Sequence, residues 1–301
     1  MPLPGKEVDV LTIGSINLDH QMSVDVLPRR GETVISRSLR RGVGGKGANQ
    51  AVAAALAGAR SALIGFVGDD AQSQGIRSRL ESLGVDVSGV IEVAGVPSGS
   101  AVVVREGSGE NLIVVDSGAN AVGTIPLFEL TYAIAGAEVV VVQGELPAEV
   151  TSLVVETAKR LKTRVIVNLA PVTSLGSALA WADPLVVNEI EAAQLLNIVE
   201  TDGARLAKQL NEHVTSVVVT LGAKGAVYME GSEPRHVPAP HVDTVVDTTG
   251  AGDATVGVLA AHLARGESLG IAVGHAVRAG SASVRFAGAA EGYPSFAEVT
   301  P

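Results

Sequence analysis

The chain has 301 residues, is 47% hydrophobic and carries a formal charge of −10 from 22 basic and 32 acidic residues. That balance argues against nucleic acid or an anionic membrane surface as a partner, so an anionic ligand has to be held by local devices rather than a global positive field. With no cysteine in the sequence, disulfides, thiol chemistry and cysteine-based metal sites are excluded.

In chain order, short runs rich in β-branched residues predict buried strands over 8–16, 62–67, 139–143, 165–169, 185–187 and 217–221. Amphipathic or alanine-rich stretches between them predict helices over 47–56, 72–83, 148–161 and 204–211. This alternation specifies an α/β fold with a doubly wound, mainly parallel sheet, helices on both faces and one domain over residues 1–301. Ligands of such sheets bind beyond the carboxyl ends of the strands.

Two stretches break the pattern. Residues 22–26 with 33–39, and 101–105 with 111–116, read as strands joined by short turns, the second pair as a hairpin around Glu106-Gly107-Ser108-Gly109-Glu110. Tight turns cannot join parallel strands. The two stretches are therefore expected to form a small separate β-sheet lid, inserted at about 17–41 and 98–117. An uncovered sheet face favours association, so a homodimer through this lid is expected. The first seven residues hold no apolar signal core, and no uninterrupted apolar run approaches about 18 residues, so the expected setting is cytoplasmic.

Gly42, Gly44 and Gly47 satisfy G-x-G-x-x-G within Arg41-Gly42-Val43-Gly44-Gly45-Lys46-Gly47-Ala48-Asn49-Gln50. A dinucleotide fingerprint has to follow a buried first strand, whereas Ser36-Arg37-Ser38-Leu39-Arg40-Arg41 is polar and basic. Nor is this a P-loop, because Lys46 is followed by glycine and no Ser or Thr is placed for Mg²⁺. Close backbone approach to a compact polar ligand, with Lys46 and Asn49 hydrogen-bonding it, suits the segment better; tight packing of the following helix on the sheet is the alternative.

Near the C-terminus, Asp247-Thr248-Thr249-Gly250-Ala251-Gly252-Asp253 precedes an apolar helical stretch. A flexible turn with bare N–H groups at a helix N-terminus can cradle an anion. Asp253 then lies beside that anion, and an anion hole next to a base is what phosphoryl transfer to a hydroxyl needs. The plainer alternative is a glycine-rich turn with Asp253 placed favourably on the helix dipole.

Three further segments complete an ordered set: Gly14-Ser15-Ile16-Asn17-Leu18-Asp19, Asn188-Glu189-Ile190-Glu191 and Thr220-Leu221-Gly222-Ala223-Lys224-Gly225. On these five motifs, which span nearly the whole chain, it resembles the PfkB/ribokinase family of carbohydrate kinases. The resemblance implies a ribokinase-like three-layer α/β/α fold. It also implies in-line transfer of the γ-phosphate of ATP to the primary hydroxyl of a pentose, D-ribose foremost, without a phosphoenzyme. Deoxyribose, another sugar or a nucleoside is the alternative acceptor, and a non-catalytic sugar- or nucleotide-binding regulator the distant one.

Carried onto this sequence, the resemblance implies that Asn17, Asp19, Gly45, Lys46, Asn49 and Glu145 bind the sugar together with Asp253. Asp253 would be the base, and the amides of Gly250, Ala251, Gly252 and Asp253 would bind the charge on the transferred group. Thr220, Gly222, Lys224 and Gly225 would lie against ATP, while Asn188 and Glu191 would help place Mg²⁺ through water. A monovalent cation, K⁺, is implied beside the anion hole at Asp247, Thr249, Ser283, Phe286, Gly288 and Ser295, largely through backbone carbonyls. Without the resemblance, Asn17 and Asp19 also suit a turn or cap, and Glu145 and Glu191 a helix-face charge. The loop 286–295 is longer than usual for the family, and Ala254-Thr255-Val256-Gly257 stands where relatives usually carry Thr-Phe-Asn-Gly. His275 receives no role, as a packed or a surface histidine.

Overall fold

Valine-rich runs without polar alternation need cover on both faces. The computed structural model describes residues 8–106 and 111–297. In it, β8 (Ala137–Gln143) is such a run, and with the buried β1 (Val8–Ile13) and β4 (Ser61–Gly68) it lies inside one large sheet, none of the three at an edge. The other members are β5 (Val85–Val93), β9 (Arg164–Asn168), β10 (Leu185–Asn188), β11 (Val217–Thr220), β12 (Ala226–Met229) and β13 (Arg235–Val237). Their order is β13-β12-β11-β10-β9-β8-β1-β4-β5. Pairing is parallel from β11 to β5, and β12 and β13 add an antiparallel edge.

Helices cover both faces, as the alternation predicts. On one side α4 (Leu127–Ala135), α5 (Ala148–Leu161), α6 (Glu189–Leu196) and α7 (Gly203–Asn211) bury Leu130, Ile134, Val154, Val155, Ala192, Leu206 and Leu210 against the sheet. On the other lie α1 (Lys46–Leu56), α2 (Ser73–Ser82), α8 (Ala251–Ala264) and α9 (Leu269–Ser283). The short α3 (Ala119–Val122) precedes α4. Helix α8 is apolar on nearly every side because it is enclosed by α1, α9 and the sheet. Gly257 lets it approach α1 closely, since a Cβ there would meet the Gln50 carbonyl and the Ala53 side chain. No helix among the described residues is long and apolar enough to cross a membrane.

The second sheet runs β3-β2-β6-β7, formed by β2 (Asn17–Val24), β3 (Ser38–Gly44), β6 (Gly99–Glu106) and β7 (Asn111–Asp116). Its outer pairs are antiparallel and its central pair, β2 with β6, is parallel. The separate sheet is as expected, but its first two strands are not. The strand expected over 8–16 stops at Ile13, where Gly14 packs on the backbone of Gly47 and turns the chain out of the large sheet. Strand β2 therefore begins at Asn17 rather than residue 22, and its partner is Ser38–Gly44 rather than 33–39. The basic stretch through Arg40 and Arg41 is an exposed part of β3. Beyond Glu106, the hairpin turn expected at 106–110 lies outside the described residues.

Candidate active site

The carboxyl ends of β8, β9, β10 and β11 carry Gln143, Asn168, Asn188 and Thr220, and the turn before α8 faces the same end of the molecule. Asp253 sits in the first turn of α8 and is buried. Asn49 Nδ2 donates to its Oδ2 at 2.9 Å, and Gln50 Nε2 donates to its Oδ1 at 2.9 Å. Behind it, Gln50 Nε2 also donates to Asn168 Oδ1 at 2.9 Å, and Gln143 Nε2 donates to Gln50 Oε1 at 2.8 Å. This buried amide chain fixes the carboxylate from α1, β8 and β9 at once. Lys46, half-buried at the start of α1, stays protonated: the Asp253 charge raises its pKa most, burial opposes, and Glu145 and Glu191 add to the rise.

The other wall comes from the small sheet and α1. Gly45 caps α1 with φ 87°, a left-handed conformation natural to glycine, and a Cβ there would press on the Ser15 carbonyl at 2.8 Å. Glu145 Oε2 accepts the Lys46 amide at 3.0 Å and the Ser15 hydroxyl. Asp19, on β2, lies against Gly44, whose missing side chain leaves room for the carboxylate. Burial, then the charges of Glu145 and Asp253, push the Asp19 pKa from 3.8 to about 6. Asn17 is buried and accepts from Asn120 Nδ2 at 2.9 Å, while Asn120 Oδ1 takes the Ile16 amide at 3.0 Å. Asp19 Oδ1, Asn49 Oδ1 and Gln143 Oε1 are buried acceptors without a hydrogen-bond partner among the described residues. Buried acceptors left bare in a native site call for a ligand that brings donors.

The turn before α8 is held from behind. Gly250 has φ 76°, and Tyr293 donates its hydroxyl to the Gly250 carbonyl at 2.7 Å. Burial and then the Asp253 charge push the Tyr293 phenol well above its ordinary value, so it remains a donor. No side chain caps α8. The first-turn amides of Gly252 and Asp253 have no protein acceptor among the described residues, which leaves them for an anion. Asp247, at the head of the turn, accepts from Arg105 Nη2 at 2.8 Å, the Thr249 amide at 2.9 Å and the Gly288 amide at 2.9 Å. Burial alone would raise its pKa; these donors, Arg105 foremost, outweigh that and bring it to about 2.

Beside the turn lies a cavity of about 660 Å³. Thr220, Gly222 and Gly225 line one side, Thr248, Ala251 and Gly252 the turn side, and Val245, Val277 and Val284 an apolar slot. Thr255 also faces the cavity, its hydroxyl bonded to the Ala251 carbonyl at 2.8 Å. Lys224 does not join the lining: it is exposed, and its carbonyl pairs with His236. Asn188 and Glu191 form a capping box at the start of α6, with Asn188 Oδ1 accepting the Glu191 amide at 2.8 Å and Glu191 Oε2 the Asn188 amide at 2.9 Å. Glu191 thus has a structural task, yet its charge still reaches Lys46.

The expected cation set is only partly gathered. Ser283 is buried with its hydroxyl on the Gly280 carbonyl at 2.9 Å, Phe286 is 46% exposed, and Gly288 spends its amide on Asp247. Ser295 is exposed and next to Phe296, whose amide bonds the Leu56 carbonyl at the far end of α1. The long loop explains this: the 3₁₀ turn Ala290–Gly292 sends Tyr293 back to Gly250, and the chain then leaves along α1. Ser295 is therefore not brought to the turn. His275 stacks on His262 with ring centroids 3.8 Å apart and is absent from the cavity lining. Gln50 stood inside a motif already singled out, but Arg105, Asn120, Gln143, Asn168 and Tyr293 carry no local sequence signal. They become part of the site only through tertiary contacts.

A model of the pfkB family of carbohydrate kinases matches residues 8–295. The chain is 35% identical over 294 residues to the ribokinase of Bacillus subtilis, covering 97% of this chain and 98% of that one. It is 32% identical to the deoxyribokinase of Salmonella typhi, with 96% of each covered. Among solved structures, Arabidopsis thaliana ribokinase complexed with ribose and ATP superposes with a TM-score of 0.87 at 29% identity, over 99% of this chain and 98% of that chain.

Proposed function

The chain belongs to the pfkB family of carbohydrate kinases, and on that premise we propose that it transfers the γ-phosphate of ATP to the primary hydroxyl of D-ribose, giving ribose 5-phosphate. The observation that carries this reading is the pair of bare buried acceptors, Asp19 Oδ1 and Asn49 Oδ1, beside the fixed Asp253 carboxylate. A polyol supplies the missing donors, and a ligand lacking them leaves both groups unpaired. Asn17, Lys46 and Glu145 complete a polar pocket against the Gly44–Gly45 backbone.

In this reading Asp253 takes the proton of the attacking hydroxyl, and Asn49 and Gln50 hold its two oxygens toward the acceptor. The free amides of Gly252 and Asp253, with Gly250 and Ala251 shaping the turn, receive the charge that spreads over the transferred phosphoryl group. Lys46, kept cationic by Asp253 and its neighbours, adds positive charge there. The cavity between Thr220–Gly225 and Val245–Val284 suits the nucleotide, with the apolar slot for the base. Mg²⁺ fits as an ion held mainly by the nucleotide phosphates. Glu191 and Asn188 would meet its water shell, and the ion would neutralise phosphate charge. The dependence on ATP fits the proposed cytoplasmic setting.

A second reading, a deoxyribose kinase, is favoured by the similarity to Salmonella typhi deoxyribokinase. A coupled assay with ATP over pentoses, hexoses and nucleosides separates the two. Ribose is expected to exceed 2-deoxyribose in kcat/KM by about 10–10²-fold, the effect of the roughly 1–3 kcal/mol it costs to leave one buried acceptor unpaired. A preference for 2-deoxyribose or a nucleoside would refute ribose as the acceptor, and absence of phosphorylation on every alcohol would refute the kinase.

The small sheet is further proposed to act as a lid and as the interface of a homodimer. The strand register puts Met22, Val102, Val104, Leu112 and Val114 on the face opposite Asp19, and Leu112 and Val114 are 46% and 59% exposed. Sedimentation velocity at micromolar concentration should give a dimer that Val114→Asp splits; a wild-type monomer would defeat the interface.

A further inference from the structure

Arg105 belongs to the small sheet, yet its guanidinium is built into the wall of the anion-binding turn. Its Nη2 donates to Asp247 Oδ1 at 2.8 Å and to Thr249 Oγ1 at 2.9 Å. The Asp247 side chain is 2% exposed and that of Arg105 31%, so the pair is largely withdrawn from water and little screened. The register explains the choice of residue. Arg105 pairs with Ser23 and follows Ala101 and Val103 on the face that carries Asp19, the face turned toward the site. The same Asp247 carboxylate takes the amides of Thr249 and Gly288, so it links the small sheet, the turn and the loop after α9 through one group.

A monovalent cation on that carboxylate does not fit this arrangement. Both oxygens already receive donors, a positive charge already lies between Asp247 and the Thr249 hydroxyl, and Ser295 stands at the far end of α1. We propose that Arg105 is a positioning residue: its guanidinium is the cation that orders the Asp247–Gly250 turn, so the turn is set for transfer only when the small sheet is closed over it. Closure and assembly of the anion-binding amides become one event, and an added monovalent cation is not required for it.

The activity arm rests on the kinase reading; the exchange arm does not. Wild-type turnover is expected to change by less than about twofold when KCl is replaced by choline chloride at constant ionic strength. Arg105→Ala is expected to lower kcat about 10²-fold, with KM for sugar and ATP within about threefold. Arg105→Lys, or millimolar guanidinium chloride added to the alanine variant, should restore a substantial part of kcat. Hydrogen exchange of the 246–252 segment should rise in Arg105→Ala and stay near wild type in Arg105→Lys. A wild-type loss of more than about tenfold in choline would overturn the cation role. Unchanged kcat and exchange in Arg105→Ala, or losses that track a lower Tm and respond to neither lysine nor guanidinium, would overturn the positioning role. If the wild type phosphorylates no alcohol, the kinase reading fails, and the exchange comparison still decides whether Arg105 orders the turn.

Discussion

Asp253→Asn is expected to lower kcat by about 10²–10⁴, with sugar and ATP affinities within about threefold of wild type. Both carboxylate oxygens already receive an amide hydrogen, one from Asn49 and one from Gln50. The groups that anchor the residue are therefore distinct from the hydroxyl it is proposed to deprotonate. An asparagine keeps one acceptor and turns an NH₂ toward the second donor, so the substitution also costs stability, roughly 1–3 kcal/mol. Steady-state kinetics together with calorimetric titration of sugar separate the two effects. An unchanged kcat would remove Asp253 from the chemistry. A loss of sugar affinity as large as the loss of kcat would make it a binding group instead.

Asp19 should control how the sugar site responds to pH. Its pKa is raised from 3.8 to about 6 by burial and by the charges of Glu145 and Asp253. The ionised carboxylate accepts from substrate hydroxyls at both oxygens, whereas protonation turns one oxygen into a donor and weakens the other as an acceptor. Sugar KM is therefore expected to rise by up to about tenfold per pH unit below pH 6. Asp19→Asn should abolish that break and raise KM about 10–10²-fold at neutral pH. Stability runs the other way. A carboxyl whose folded pKa exceeds its unfolded value stabilises most below about pH 4, and that contribution is lost as pH rises through about 6. Above pH 6 the buried charge costs roughly 1–3 kcal/mol, so Asp19→Asn should melt at a higher temperature than wild type at pH 8. A lower Tm with an unaltered pH profile of KM would contradict both the burial cost and the sugar contact.

The pattern of legibility follows from physical range. Continuous valine runs such as Val139–Val142 announce a strand buried on both faces, and glycines pressed against backbone, such as Gly45, leave a local motif. Strand β2 is harder to find because one face serves a polar site, so Asn17, Asp19 and Gln21 interrupt the apolar signal. Strands β12 and β13 are only four and three residues long and β5 has polar interruptions, so none of them carries a strong local pattern. At the site, the turn ending in Asp253 is a contiguous feature. The Gln50–Gln143–Asn168 chain, the Asn120 support of Asn17 and the Arg105 bridge join residues brought together only by tertiary folding.

The parallel pairing of β2 with β6 has a consequence for synthesis. Asn17 leaves the ribosome early, but its neighbour in the small sheet is Gly99, and β3, α1, β4, α2 and β5 all intervene in chain order. The central ladder has to close that long loop at an entropic cost, and the β1–β4–β5 edge of the large sheet is what returns the chain to the right place. Pairing within the small sheet thus waits on the scaffold beneath it. A nascent chain halted before β6 would display the Asn17 and Asp19 strand with a bare hydrogen-bonding edge, a state open to wrong partners until the later segment emerges.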